Sequence, residues 1–266
     1  MIELRRGKTG RVLRIGHRGA PFFAAENTVR SFRAAVTEGV DLVEFDVLDL
    51  PRGPLIVAHS DHLDEVSHGR ATGLVRACSL EELREHSPEL ATLDDALGYF
   101  CDEARDVGLH VDLKLRTRLD ELVEGLRRHG LEQRTVVSSF HVPSLTAIAR
   151  ASRTVRIGFT YPEDRFGVSR RPILWPLVRA GLSTMRTSVP PRIPSFLRRA
   201  GASALMLNQA LVTRRAVKVA HRLDVPVLAW TVDQPDDLER VLAAGVDGVV
   251  TNDPRVFDAL GEGDKT

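Results

Sequence analysis

The chain has 266 residues, 43% of them hydrophobic and 27% charged, enough apolar material for a substantial core, which excludes a disordered or fibrous protein. Lys plus Arg is 37 and Asp plus Glu 36, so the formal net charge of +1 marks no nucleic-acid or membrane partner. Cys78 and Cys101 are the only cysteines, too few for a disulfide scaffold and without the paired spacing of a zinc site.

The first 15 residues, MIELRRGKTGRVLRI, hold no apolar stretch ending in a small-residue cleavage site. The longest run free of Asp, Glu, Lys and Arg, Thr135 to Ala149, is too short and too polar to span a bilayer. A cytoplasmic setting is the expectation.

Short apolar runs then recur along the chain at Val12–Gly16, Leu42–Val47, Leu109–Leu115, Thr135–Ser138, Val155–Thr160, Ala204–Leu207, Val225–Thr231 and Gly248–Thr251. Each reads as a strand. Stretches of helical period lie between them, at Asn27–Thr37, Leu93–Arg105, Arg118–Arg128, Pro143–Arg150, Thr213–Arg222, Pro235–Ala243 and Pro254–Leu260. Eight strands with a helix after most of them predict an α/β protein, a (β/α)8 TIM barrel forming one domain over residues 1–266. A doubly wound sheet is the alternative, but no Gly-rich nucleotide loop follows any strand.

Two connections are too long to be ordinary. Leu55 to Glu89, after the second strand, carries a brief apolar run and then polar, His- and Gly-bearing sequence, and reads as an excursion above the sheet. Arg165 to Ala200, after the fifth, holds eight arginines, no lysine and no acid, interleaved with apolar residues such as Phe166, Trp175 and Phe196. That segment carries +8, which leaves the remainder of the chain at −7.

Charged residues inside apolar strand cores are costly unless paired or bound to a cation. Alternate residues of a strand share a face, so Glu44 and Asp46 in VEFDV point one way, and Asp112 and Lys114 in VDLKL do likewise. Both pairs fall near the C-terminal ends of their strands, the catalytic face of a barrel. Three carboxylates suit a hard divalent ion, and with Arg18 and Lys114 alongside they suit a phosphate. His17 in GHRGAP and His59 in PLIVAH also close strand-like runs, and imidazole serves as acid or base near neutral pH. No G-x-S-x-G elbow is present, which disfavours a serine hydrolase.

The succession GHRGAPFFAAENTVRSFRAAVTEGVDLVEFDV, IVAH, VDLKL, VVSSF, LAWTV and GVDGVVTNDP resembles the signatures of the glycerophosphodiester phosphodiesterase family, in order, from Gly16 to Pro254. The resemblance implies a metal held by Glu44, Asp46 and Asp112, a catalytic pair His17 and His59, phosphate binding by Arg18 and Lys114, and Trp230 lining the glycerol or phosphate pocket. The cation would be Mg²⁺ or Ca²⁺, with Mn²⁺ also accepted. Glu26 and Asn27, in AENT, would brace the first loop, with Glu26 near the ion. The family reads Glu-x-Lys where this chain has Asp112-Leu113-Lys114, His-Asp where it has His59-Ser60, and Arg where Glu65 stands; Asp61 is the candidate replacement for the missing acid.

The activity so implied is metal-dependent hydrolysis of a glycerophosphodiester to glycerol 3-phosphate and an alcohol, with a small-molecule substrate and no nucleic acid. One alternative is a lysophospholipase D whose segment 165–200 makes peripheral membrane contact through an amphipathic, basic surface. Another is a noncatalytic protein that binds a phosphate ligand.

Overall fold

A computed structural model describes residues 2–6, 10–163, 181 and 184–260. Strands β1 (Leu13–Gly16), β2 (Leu42–Asp49), a short β3 (Leu55–Val57), β4 (Gly108–Leu113), β5 (Thr135–Ser139), β6 (Arg156–Tyr161), β7 (Ala204–Asn208), β8 (Val227–Trp230) and β9 (Gly248–Thr251) form one sheet. All pairings are parallel except β2 with β3, and β1 pairs with both β2 and β9, which closes an eight-stranded barrel. Every predicted strand is present, with ends shifted by one or two residues. The late start of β8 has a local cause, since it begins after Pro226, a residue with no N–H to give a ladder.

Around the ring lie α1 (Val29–Thr37), α4 (Leu93–Asp102), α5 (Leu119–Arg128), α6 (Val142–Ala151), α7 (Ile193–Ala200), α8 (Arg214–His221) and α9 (Pro235–Ala244). Helix α1 starts at Val29, two residues past the predicted Asn27, because Thr28 is its cap and accepts from the Ser31 N–H. The rings of Phe32 on α1, Phe45 on β2 and Phe100 on α4 pack at centroid spacings of 5.4–5.8 Å and fix helix against sheet at the side where the acidic strands run. Pro254–Ala259, expected as an α-helix, is a 3₁₀ helix of six residues opened by the Asp253 side chain.

The excursion after the second strand is organised. Strand β3 runs back along the end of β2, with Val57 opposite Val47, and is followed by α2 (Leu63–Val66), a 3₁₀ turn and α3 (Leu80–His86). Leu48, Leu50, Ile56, Leu63, Val75 and Leu83 bury a small core of their own there, so the segment is a packed cap on the barrel rim. Half of the basic stretch Arg165 to Ala200 lies outside the described residues; within them, its end forms a 3₁₀ turn at Pro190–Arg192 and α7. Among the described residues, no helix is long and apolar enough to cross a membrane.

Inside the barrel the strands change character along their length. The lower layers are apolar, with Ile15, Leu42, Val136, Ala204, Met206, Leu228 and Val250 packed together. Gly158 belongs to this interior, where a Cβ would stand 2.5 Å from the Met206 thioether. On the same strand faces, toward the C-terminal ends, come Glu44, Asp46, His110, Asp112, Ser138 and Thr160. Register aligns them: Glu44 lies beside His110, Asp46 beside Asp112, and Asp112 beside Ser138.

Candidate functional site

The polar mouth of the barrel is a cleft of about 530 Å³. It brings together all eight residues expected to act: His17, Arg18, Glu44, Asp46, His59, Asp112, Lys114 and Trp230. It also takes in His110, Phe140, Thr160, Glu163 and Met206, which sequence reasoning missed. His110 was within reach of the rule that found the others, since it lies two residues before Asp112 on the same strand face.

The first loop is built around left-handed backbone at Arg18 (φ +51°), Gly19 (φ +88°) and Asn27 (φ +58°). A Cβ on Gly19 would collide with Ser31, and that close approach swings Arg18 back over the barrel. The Arg18 N–H donates to Glu44 Oε2 at 2.8 Å, while its guanidinium lies 2.8 Å from Glu26 and 3.2 Å from Asp46. Asn27 reads both polar faces of Asp46: Nδ2 donates to Oδ2 at 3.0 Å and Oδ1 accepts from the Asp46 N–H at 3.1 Å. Glu26 and Asn27 therefore brace this loop as expected, with Glu26 paired to Arg18.

Asp46 and Asp112, side by side on β2 and β4, would repel each other. The Lys114 ammonium sits between them, 3.0 Å from Asp46 and 2.5 Å from Asp112. Burial disfavours every charge here, yet Lys114 and Arg18 hold Asp46 far below the carboxylate range, and Asp112 and Asp46 hold Lys114 above the ordinary lysine value. Glu44 goes the other way. Burial first, then the charges of Asp46 and Asp112, push it well above its usual range. Among the described residues no three His, Cys, Asp or Glu side chains close on one point suited to a metal ion. Glu44, Asp46 and Asp112 share the cleft without converging, because Lys114 occupies the space between the two aspartates.

Each imidazole is tied by one nitrogen. His17 Nδ1 lies 2.7 Å from Asn252 Oδ1, and Asn252 Nδ2 donates to Asp233 at 2.7 Å. Since a carboxylate only accepts, the amide orientation is fixed, and His17 must donate from Nδ1. Its Nε2 is left toward the cleft, 4.0 Å from Glu44. Burial, with the charge of Arg18 second, lowers the His17 pKa to about 3, so the ring is neutral at physiological pH. His59 is also lowered, chiefly by burial. Its Nδ1 lies 3.2 Å from Glu65 Oε2, which also accepts from Ser60 Oγ at 2.6 Å. Asp61, the expected substitute acid, turns away: its carboxylate accepts from the Arg76 N–H at 2.7 Å.

Below these groups, Ser138 Oγ donates to Asp112 Oδ1 at 2.5 Å and accepts from His110 Nε2 at 2.9 Å. Burial lowers His110 to about 4. Trp230 lines the cleft wall edge-on to Phe140, and its buried indole N–H has no partner among the described residues.

Residues 17–256 match the Glycerophosphoryl diester phosphodiesterase family. A glycerophosphodiester phosphodiesterase of Caldanaerobacter subterraneus subsp. tengcongensis is 25% identical over 93% of this chain and 96% of its own length. One from Bacillus subtilis is 24% identical over 95% of this chain and 87% of its own. The Oleispira antarctica phosphodiesterase solved with the product sn-glycerol-3-phosphate superposes with a TM-score of 0.71 at 21% identity, covering 94% of this chain and 97% of that one.

Proposed function

Because the chain belongs to the glycerophosphoryl diester phosphodiesterase family, we propose that it hydrolyses glycerophosphodiesters to glycerol 3-phosphate and an alcohol, with His17 and His59 as the acid–base pair. One observation carries this reading: a single cleft holds His17 and His59, each with one nitrogen tied to the protein, together with the cations Arg18 and Lys114. Its volume of about 530 Å³ falls in the range of small-molecule sites.

Arg18 and Lys114 supply the positive charge that holds the phosphate and stabilises the pentavalent transition state. A hydroxyl of the substrate's own glycerol attacks phosphorus as one imidazole accepts its proton and the other gives a proton to the departing alcohol. Water then opens the cyclic phosphate with the roles reversed. Trp230 and Phe140 form an apolar wall against which the glycerol carbons pack.

The donor set fits a hard divalent cation on chemical grounds. All three donors are carboxylates lining one cleft, and Asp46 and Asp112 stand side by side on neighbouring strands. Glu44, Asp46 and Asp112 would hold Mg²⁺ or Ca²⁺, and Mn²⁺ suits the same oxygens. Such an ion would supply neutralisation of charge at the phosphate.

The test is a turnover panel of glycerophosphocholine, glycerophosphoethanolamine and glycerophosphoglycerol with each of the three ions, reading glycerol 3-phosphate. Release of that product is expected; none from any substrate with any ion overturns the reading.

A further inference from the structure

The geometry points to Glu65 as the positioning residue for His59: we propose that its carboxylate fixes the His59 ring with Nδ1 protonated and steadies the imidazolium form, so that His59 delivers the proton to the leaving alcohol while His17 accepts the proton of the attacking hydroxyl. The inference rests on the proposed reaction for its catalytic meaning.

The argument begins with the sequence. Glu65 is the third residue after the rim turn at Asp61–His62 and lies in the first turn of α2, whose N-cap His62 offers no side-chain hydrogen bond. Leu63, buried in the rim core, anchors that turn. The anchored turn directs the Glu65 side chain back to the end of the His59 segment. Its Oε2 stands 3.2 Å from His59 Nδ1 and 2.6 Å from Ser60 Oγ, and Ser60 Oγ in turn accepts from the His62 N–H at 3.2 Å. A carboxylate offers no proton, so both contacts run toward it. His59 must therefore carry its hydrogen on Nδ1 and present Nε2 to the cleft. Ser60 donates to the same Oε2, so one carboxylate oxygen is shared by the ring and the hydroxyl. The residue that departs from the family pattern at position 65 and the one that departs at position 60 thus bond to each other, and together they do a single job.

The two histidines are held differently, and that difference sets their roles. His17 leans on the neutral amide of Asn252; His59 leans on an ion. A carboxylate beside Nδ1 favours imidazolium over imidazole more strongly than the Asn252 amide oxygen does, because it carries a full negative charge. The other charged groups acting on His59 are Asp46, which also favours its charged form, and Arg18 and Lys114, which oppose it. In the first half-reaction the glycerol oxygen bonds to phosphorus and the ester oxygen leaves. The hydroxyl proton passes to His17 Nε2, and His59, entering this half as the imidazolium, gives its Nε2 proton to the alkoxide and is left as the neutral Nδ1–H ring. The second half returns both protons as water adds across the cyclic ester, so nothing is consumed but water.

The experiment compares the full-length wild type with Glu65→Ala and Glu65→Gln, using glycerophosphocholine turnover and long-range ¹H–¹⁵N spectra of the histidine rings, His59 being assigned with His59→Asn. The expected result is a kcat lower by about 10–100-fold in Glu65→Ala with KM changed less than about threefold, and a smaller loss in Glu65→Gln, whose amide oxygen can still accept from Nδ1. Once deprotonated, the His59 ring is expected to be the Nδ1–H tautomer in wild type and to move toward Nε2–H in Glu65→Ala. Should Glu65→Ala fail to fold, Glu65→Gln carries the same two readouts. Unchanged kcat, or an Nε2–H ring in the wild type, overturns the proposal. A wild type without turnover overturns the proposed reaction, and the ring spectra then still decide whether Glu65 sets the tautomer.

Discussion

Asn252 Oδ1 lies 2.7 Å from His17 Nδ1, and Asp233, bonded to both the side-chain and backbone nitrogens of Asn252, prevents the amide from turning over. The catalytic assignment of His17 therefore depends on a residue one step removed from the substrate. Asn252→Leu is expected to lower kcat by about 10–100-fold while leaving substrate affinity near that of wild type. Asp233→Asn, which frees the amide to flip, should show a smaller loss in the same steady-state assay.

Removal of either imidazole has a larger consequence. His17→Ala and His59→Ala are each expected to cost at least about 10²-fold in kcat on glycerophosphocholine, the range for one acid–base role. Calorimetric binding of glycerol 3-phosphate should persist in both, because Arg18 and Lys114 remain. Parental turnover in either variant refutes the pair.

Cation dependence has a signature apart from turnover. Exhaustive chelation should abolish hydrolysis, and added Mg²⁺ or Ca²⁺ should raise Tm as the free ion exceeds its Kd, by roughly 2.7 kcal/mol of stability at a hundredfold excess. Glu44→Gln should blunt that rise. An ion response equal in wild type and Glu44→Gln would remove Glu44 from the ligand set.

Acid should destabilise the fold through buried imidazoles. His110 is pushed down to about 4 and His17 to about 3, both by burial first, so each remains neutral in the native state while the unfolded chain protonates near 6.5. Between those values the unfolded chain binds more protons than the native one, so stability rises with pH across the window and is lost as pH falls from about 6.5 toward 4. The His110 contribution is on the order of 3 kcal/mol at pH 4 relative to pH 7. Urea unfolding at pH 7.5, 5.5 and 4.5 should show the loss, and His110→Asn should flatten the lower part of the curve.

The barrel was legible because parallel strands covered on both sides read as apolar runs, and all eight stood out. The site was legible where charge interrupted such a run, as Glu44, Asp46, Asp112 and Lys114 do. What stayed hidden depended on contacts between segments far apart in the chain. Asn252 reaches His17 across 235 positions, and nothing local distinguishes it from a turn residue. Strand β3 and helix α2 are three and four residues long, too short for a period to register, so the rim cap read as loop. Asp61 was the acid nearest His59 in sequence, but its carboxylate caps the Arg76 amide, and Glu65 reaches the ring because one helical turn doubles the chain back.

The alternation that lifts Glu44 and Asp46 into the barrel also sends Phe45 outward to meet Phe32 and Phe100. A slip of one residue between β2 and β4 would exchange the two sets, driving carboxylates into the oily layer beneath the helices and aromatic rings into the water-filled mouth. Misthreaded chains are thus penalised twice for the same error, and hydrolytic competence doubles as proofreading of how the staves were laid.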